Sequence, residues 1–172
     1  MSWVGLNRPP VQEANQKVSF ILYPTRGGDR SYRNQDQAQA LAQERGEALL
    51  LLYVANVHFL DHAAGPVRVD LIEKDLEEMG EFLLALAQEH AEEAGLTVES
   101  IVCHGEFQQS LIAVIKEYEV TAVVLGRPAH DAAHTTIDFI SHLAQSLPVK
   151  LQVETFVVHE GETVEHYRPP QE

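Results

Sequence analysis

The sequence contains a single cysteine, Cys103, among its 172 residues. One cysteine cannot form an internal disulfide bond, so nothing in the chain points to an oxidising compartment. The first 16 residues lack the apolar core of a signal peptide. No apolar run approaches the roughly 20 residues that a membrane span needs. We therefore expect a cytoplasmic protein that does not act at a membrane.

Basic residues are also scarce, and they do not form clusters. The chain has 12 lysine and arginine residues against 26 aspartate and glutamate residues, which gives a formal net charge of −14. A surface of this charge repels phosphate backbones and anionic lipids. The composition therefore argues against a nucleic-acid partner.

Hydrophobic residues make up 45% of the chain, which is enough for one domain with a sizeable core. Segments with the composition of β-strands alternate with segments whose apolar residues recur at helical spacing. The predicted strands are 17–24, 48–55, 97–103, 121–125 and 151–158, and the predicted helices are 31–45, 70–94, 107–118 and 137–147. This alternation predicts an α/β fold, Rossmann-like, with an open five-stranded parallel sheet and helices on both faces.

These elements place one domain at residues 17–158, between polar tails at 1–16 and 159–172. The longest predicted helix has its apolar residues on one stripe, at spacings of four and three. The members of that stripe are Ile72, Leu76, Met79, Leu83 and Leu86. A stripe of this kind is typical of an amphipathic helix.

Two loops lie where such sheets bind ligands, beyond the carboxyl ends of the strands. Residues 25–30 combine two glycines with two arginines, a composition that suits an anion. The second loop starts at Gly126 and Arg127 and leads to Thr135 and Thr136 at the start of a helix, where free N–H groups favour a phosphate. The alternative is local: the glycine permits a tight strand exit and the threonines cap the helix.

Metal binding and covalent catalysis have little support. His130 and His134 lie one helical turn apart, but two donors fall short of a zinc site, and we expect no bound metal. The sequence has no Gly-x-Ser-x-Gly nucleophile motif. Cys103 next to His104 is a possible thiolate, although a buried, inert cysteine is the expected case. We therefore expect no catalytic residue and no enzymatic activity.

Five short motifs occur in order along the chain: FILYPT at 20–25, LLLYV at 50–54, HG at 104–105, TAVVLG at 121–126 and PV at 148–149. Together they resemble the motifs of the universal stress protein family. The resemblance covers residues 17–158. It implies a five-stranded parallel sheet, a homodimer and a role in stress survival rather than a fixed reaction.

The resemblance also implies a nucleotide site, from which this chain departs. ATP-binding members carry an aspartate directly after the proline-threonine pair of the first strand, whereas here Pro24 and Thr25 are followed by Arg26. Those members also carry a motif that starts with two glycines separated by two residues. After nine further residues, the motif ends in a glycine followed by serine or threonine. Gly126 fits the first position, but Ala129 stands at the second.

These departures have physical consequences for ATP. Arginine cannot accept the hydrogen bonds that an aspartate accepts, and the Cβ of Ala129 lies where the backbone should approach phosphate. The pair Thr135-Thr136 also follows after only five intervening residues and without its glycine. We expect weak or absent ATP binding. Arg26, Arg127 and the threonine N–H groups could still hold a smaller anion or another adenine nucleotide.

The last predicted strand bears on assembly. Polar and apolar residues alternate at its start, as expected for an edge strand that pairs with a second copy across a two-fold axis. The alternative is an edge that is protected by charge alone. The candidate dimer-interface residues are Leu151, Val153, Thr155 and Val157.

The main interpretation is a non-enzymatic universal stress protein, a cytoplasmic homodimer that acts through a small anionic ligand or a protein partner. The first alternative is a nucleotide-binding protein or slow ATPase of the same fold that uses Arg26, Arg127 and Thr135. The second alternative is an acidic protein-interaction module, with the long helix as part of its surface.

Overall fold

The structure, a computed structural model, describes residues 3–4, 17–57, 68–129 and 135–171. The helices and strands are, in chain order, β1 (Trp3–Val4), β2 (Phe20–Pro24), α1 (Asp29–Arg45), β3 (Ala48–Ala55), α2 (Val69–Glu93), β4 (Val98–His104), α3 (Phe107–Glu117), β5 (Val120–Gly126), α4 (Ile137–Leu151), β6 (Glu154–His159) and β7 (Glu162–Tyr167). Within the described residues, no helix is both long and apolar enough to cross a membrane.

The described strands form one seven-stranded sheet in the order β1-β4-β3-β2-β5-β6-β7. The five central strands run parallel to one another. The outer strands β1 and β7 pair antiparallel with their neighbours. The predicted α/β fold with a parallel sheet is confirmed, and the two outer strands make the complete sheet mixed.

Helices cover both faces of the sheet, as predicted. On one face, Leu22 of β2 belongs to a core cluster that includes residues of α3 and α4. On the other face, Ile21 of β2 belongs to a cluster that includes residues of α1 and α2. Successive strand residues point to opposite faces, so a strand covered on both sides needs apolar residues throughout. The continuous apolar run of β3 meets this requirement.

The structure corrects the prediction for residues 151–158. Leu151 ends α4, and the following strand begins only at Glu154. Leu151 lies four residues beyond Leu147 on the helix and packs against the same core cluster. Gln152 ends the helix in a left-handed conformation, with φ of 57°. The alternation around residue 151 therefore reflects a helix end rather than an edge strand.

The last part of the chain, predicted as a polar tail, contains a strand. A two-residue turn, Glu160-Gly161, with positive φ at both positions, reverses the chain after β6. Such turns match the twist of paired antiparallel strands. The strand that follows, β7, pairs with β6 at Thr155 and Val157.

This pairing contradicts the predicted dimer contact. The edge of β6 that was assigned to a second copy is occupied by β7 of the same chain. Val153, Thr155 and Val157 are buried within the chain. The interface predicted from these three residues and Leu151 is therefore wrong.

Candidate functional site

The site lies where the strand order reverses. From β2 the chain builds the sheet outward through β3 and β4, and then returns to place β5 on the opposite side of β2. The connections after β2 and β5 therefore diverge at the carboxyl ends of these strands and leave a crevice. The crevice is a cleft of about 290 Å³.

Seven of the eight residues predicted to bind a nucleotide or anion line this cleft. They are Pro24, Thr25, Arg26, Gly126, Arg127, Ala129 and Thr135. The eighth, Thr136, acts as the N-cap of α4, since its hydroxyl accepts a hydrogen bond from the Phe139 N–H at 3.0 Å. The local, capping interpretation therefore holds for Thr136, while the other residues share one cavity.

The loop after β2 is shaped by Thr25, which is buried. Its N–H donates to the Leu52 carbonyl at 2.8 Å, and its hydroxyl accepts from the Gly27 N–H at 3.1 Å. Gly27 has a φ of +76°, and a Cβ there would lie 2.6 Å from the Leu83 side chain of α2. The loop is thus turned tightly against α2, and Arg26 is left exposed to solvent.

Arg26 joins the two predicted loops. Its Nη2 donates a hydrogen bond to Oγ1 of Thr135 at 3.2 Å. Arg30, in the first turn of α1, and Arg127 also line the cleft. Together the three arginines supply positive charge at the mouth of the crevice.

The described lining of the cleft includes these three arginines and no aspartate or glutamate. The whole chain has 26 acidic residues and 12 basic ones. The cleft therefore has the opposite charge from the protein as a whole. An electropositive cleft in an acidic protein attracts and holds anions.

The N-terminus of α1 contributes to the same field. The helix follows Gly28, which provides no side-chain cap, and it begins at Asp29, two residues before the predicted start at residue 31. The first turn carries the partial positive charge of a helix N-terminus, which the exposed Asp29 of the same turn partly offsets. Arg30 and Ser31 of this turn line the cleft.

Tyr23 and Asn34 are cleft residues that the sequence analysis missed. The Tyr23 hydroxyl donates to the Ser31 carbonyl at 2.7 Å. Burial raises the pKa of this phenol well above its usual value, so it stays a neutral donor. A tyrosine inside an apolar strand resembles any core aromatic in sequence, which is why no signal marked it.

Asn34 explains the glycine that ends β5. A Cβ at position 126 would lie 3.2 Å from the Asn34 side-chain nitrogen. Asn34 is buried, and its Oδ1 accepts from the Gly161 N–H at 3.0 Å. Because position 126 is glycine, the Asn34 side chain of α1 has room at the cleft. The next residue, Arg127, continues the pairing with β6, since its N–H donates to the Val158 carbonyl at 2.8 Å.

The metal and thiol hypotheses have no structural support in the described residues. His130 and His134 lie outside them, and among the described side chains no group of three or more histidine, cysteine or acidic residues is placed to hold a metal. Cys103 is buried, and burial raises the pKa of its thiol to about 11. The neighbouring His104 instead places its ring nitrogens 3.0 and 3.4 Å from carboxylates of Glu73 and Glu77 on α2.

The sequence model of the universal stress protein family matches residues 19–145. The chain belongs to the universal stress protein family. The matched span includes all of the described residues that line the cleft. Among curated protein sequences, none matches the chain.

Solved structures of universal stress proteins have the same fold. A family member from Burkholderia pseudomallei is 15% identical, with a TM-score of 0.63, and the match covers 81% of this chain and 95% of that one. A universal stress protein in complex with cAMP is 18% identical, with a TM-score of 0.61 and coverage of 84% and 99%. A universal stress protein from Archaeoglobus fulgidus in complex with dAMP is 17% identical, with a TM-score of 0.53 and coverage of 81% and 96%.

Proposed function

We propose that this protein is a non-enzymatic, ligand-binding universal stress protein whose cleft holds a nucleoside monophosphate in preference to ATP. The observation that carries the proposal is the charge of the cleft. Its described lining includes Arg26, Arg30 and Arg127 and no acidic side chain, in a chain with a net charge of −14.

Arginine suits the phosphate of such a ligand. The planar guanidinium can donate two parallel hydrogen bonds to phosphate oxygens and stays charged at every physiological pH. Arg26 stands where the family resemblance places an aspartate in ATP-binding members. The substitution exchanges an acceptor of hydrogen bonds for a donor, which favours an anionic group at this end of the cleft.

The size and walls of the cleft suit one phosphate and one nucleoside. Its volume of about 290 Å³ is near the lower end of the range for small-molecule pockets. Leu52, Val54, Phe107 and Leu125 provide apolar wall for a base. The ligands of two similar structures, cAMP and dAMP, each carry a single phosphate.

The absence of enzymatic activity is part of the proposal. The described residues that line the cleft include no histidine, cysteine, lysine or carboxylate that could serve as a general base or nucleophile. Tyr23 is held neutral by burial. Binding without turnover fits a protein that senses or carries its ligand during stress.

We also propose a homodimer, as the family resemblance implies. Since β7 covers the edge of β6, such a dimer would use another surface. Light scattering at tens of micromolar would give twice the mass of 19.2 kDa. A monomer at that concentration would remove the dimer from the proposal and leave the ligand site untouched.

Titration calorimetry with AMP, cAMP, ATP and inorganic phosphate tests the ligand. We expect a nucleoside monophosphate to bind more tightly than ATP. Arg26→Ala should weaken that binding about tenfold or more, because it removes a charged hydrogen bond. Arg33→Ala removes the same charge from an exposed position of α1 that does not line the cleft, and it should bind as the unaltered protein does.

Two results would overturn the proposal. Tighter binding of ATP than of any monophosphate, with release of inorganic phosphate over time, would favour the slow ATPase. Equal losses in the Arg26 and Arg33 variants would show that general charge, rather than the cleft, attracts the nucleotide.

A further inference from the structure

The long helix α2 exposes a row of large apolar side chains. Its buried face consists of Gly80, Leu84, Ala87 and Ala91. On the opposite side Leu71, Met79, Phe82 and Leu86 are 50%, 52%, 63% and 38% exposed. These four residues, which we call the α2 outer face, lie along one side because they are eight, three and four positions apart.

The α2 outer face differs from the ordinary exposed apolar residues of a protein surface, which occur singly. Met79, Phe82 and Leu86 follow one another over two helical turns, and Phe82 lies at the centre. Phenylalanine and methionine are both enriched in protein–protein interfaces relative to the rest of the surface.

Acidic residues lie at both ends of this apolar cluster. Asp75 and Glu78 precede it and Glu89 and Glu93 follow it, and all four are exposed. At 100° per residue, these carboxylates project from the same side of the helix as Phe82. Met79, Phe82 and Leu86 of the α2 outer face thus form an apolar patch with carboxylates at each end. Lys74, 3.8 Å from the Glu78 carboxylate, offsets part of the negative charge at the first end.

This charge pattern disfavours a second copy of the chain as the occupant. In an antiparallel pair of α2 helices centred on Phe82, Asp75 would face Glu89 of the other copy. In a parallel pair, each carboxylate would face its own equivalent. Like charges across a helix pair are repulsive in both arrangements.

A helix with an apolar stripe flanked by basic residues would complement both the apolar residues and the carboxylates of α2. Leucine, methionine or phenylalanine on one stripe would cover Phe82, and lysine or arginine beside that stripe would pair with the carboxylates. We propose that the α2 outer face docks a basic amphipathic helix of another protein. This role is independent of the cleft. The acidic surface of the chain would then bind one class of partner, basic amphipathic helices.

A synthetic peptide tests the proposal directly. The probe is an amidated, fluorescent peptide of about 20 leucine and lysine residues, with leucines at helical spacing so that binding can induce a helix. A second peptide has the same composition in scrambled order. Fluorescence anisotropy with the full-length protein should show at least tenfold tighter binding of the patterned peptide.

Protein variants locate the contact. Phe82→Ser should weaken binding of the patterned peptide about tenfold or more, because it removes the central apolar anchor. Val164→Ser, on an exposed valine of β7, is the matched control and should leave binding unchanged. Since both side chains are exposed, both variants should keep the thermal unfolding midpoint, which excludes misfolding as the cause.

Charge reversal separates the contribution of the carboxylates from that of the apolar residues. The double variant Asp75→Lys with Glu89→Lys should weaken binding of the patterned peptide. It should also make the affinity for that peptide less dependent on salt concentration. Glu117→Lys with Glu119→Lys makes the same change of charge at the far end of α3 and should have little effect.

Three outcomes would overturn the proposal. Equal binding of the scrambled peptide would indicate general attraction between opposite charges. Unchanged binding by Phe82→Ser would place the contact elsewhere. A dimer that Phe82→Ser converts to a monomer would identify a second copy as the occupant.

Discussion

The Arg26 guanidinium donates to the Thr135 hydroxyl at 3.2 Å, and this contact spans the cleft between the ends of β2 and β5. The two residues are 109 positions apart in the chain. Because the hydroxyl oxygen accepts from Arg26, its own O–H remains able to donate to a ligand. The pair thus offers two donors to one anionic group.

Thr135→Val tests this arrangement. The substitution nearly preserves the shape of the side chain but removes the acceptor of the Arg26 hydrogen bond and the hydroxyl donor that we assign to the proposed ligand. We expect monophosphate affinity to fall a few-fold, equivalent to about 1 kcal/mol, and the free energy of unfolding to change little. Calorimetry and urea unfolding measure the two quantities. A larger loss than in Arg26→Ala would show that the hydroxyl, rather than the guanidinium, dominates binding.

Gly80→Ala should destabilise the fold. A Cβ at this buried position of α2 would lie 2.3 Å from the ring of Tyr53 on β3. Overpacking of this kind costs about 1–3 kcal/mol, which exceeds the gain of about 1 kcal/mol in helix propensity. Urea unfolding measures the difference, with the exposed neighbour Glu81→Ala as control. An increase in stability would mean that the Tyr53 ring moves aside without cost.

Glu154 links α1 to the last two strands. Its carboxylate accepts hydrogen bonds from Arg45 of α1 and from His166 and Arg168 in and after β7. Burial favours the protonated carboxyl, but the hydrogen bonds from Arg45 and His166 outweigh burial and lower its pKa below the usual value of 4.5. A lowered pKa in the folded state stabilises the fold above pH 4.5, and this stability is lost as the pH falls through the lowered value.

Glu154→Gln should therefore lower the free energy of unfolding by about 1 kcal/mol near pH 7. The difference in unfolding free energy from the unaltered protein should narrow as the pH falls below 4.5 and through the lowered pKa of Glu154, where the unaltered carboxyl becomes protonated as well. Denaturant unfolding between about pH 3 and 7 measures the gap. Glu162→Gln, an exposed position on β7, is the control. A gap that stays constant with pH would show that the ion pairs contribute nothing.

Cys103 should resist thiol reagents in the native protein. Burial raises the pKa of its thiol to about 11, so the reactive thiolate is rare at neutral pH and the sulfur is out of reach. A colorimetric disulfide reagent should react slowly without denaturant and fully in urea. Ala85→Cys in a Cys103→Ala background exposes a thiol on α2 and should react at once. Rapid reaction of native Cys103 would revive the activated-thiol hypothesis.

Much of the site could be predicted because its residues sit at the ends of recognisable strands. Proline, threonine and arginine after one apolar run, and glycine and arginine after another, marked the two loops that meet in the cleft. Tyr23 and Asn34 carried no such signal, since their roles depend on contacts with Ser31 and Gly161. A hydrogen bond between distant residues leaves no local pattern.

The long helix shows the same limit. Its apolar spacing correctly predicted a helix, but the predicted stripe contained both packed and exposed residues. Leu76 and Leu83 pack against the core, whereas Met79 and Leu86 face solvent. Periodicity locates apolar residues around a helix axis but does not say which way the axis is turned against the sheet.

The sequence by itself determined the alternation of strands and helices, the doubly covered parallel sheet and the two loops at its carboxyl edge. These follow from local composition, because a strand buried on both faces must be apolar throughout. The tertiary structure alone decided that β7 covers β6, that Arg26 reaches Thr135, and that Phe82 lies outside the core. Each of these depends on contacts between distant segments, which form only when the whole chain packs.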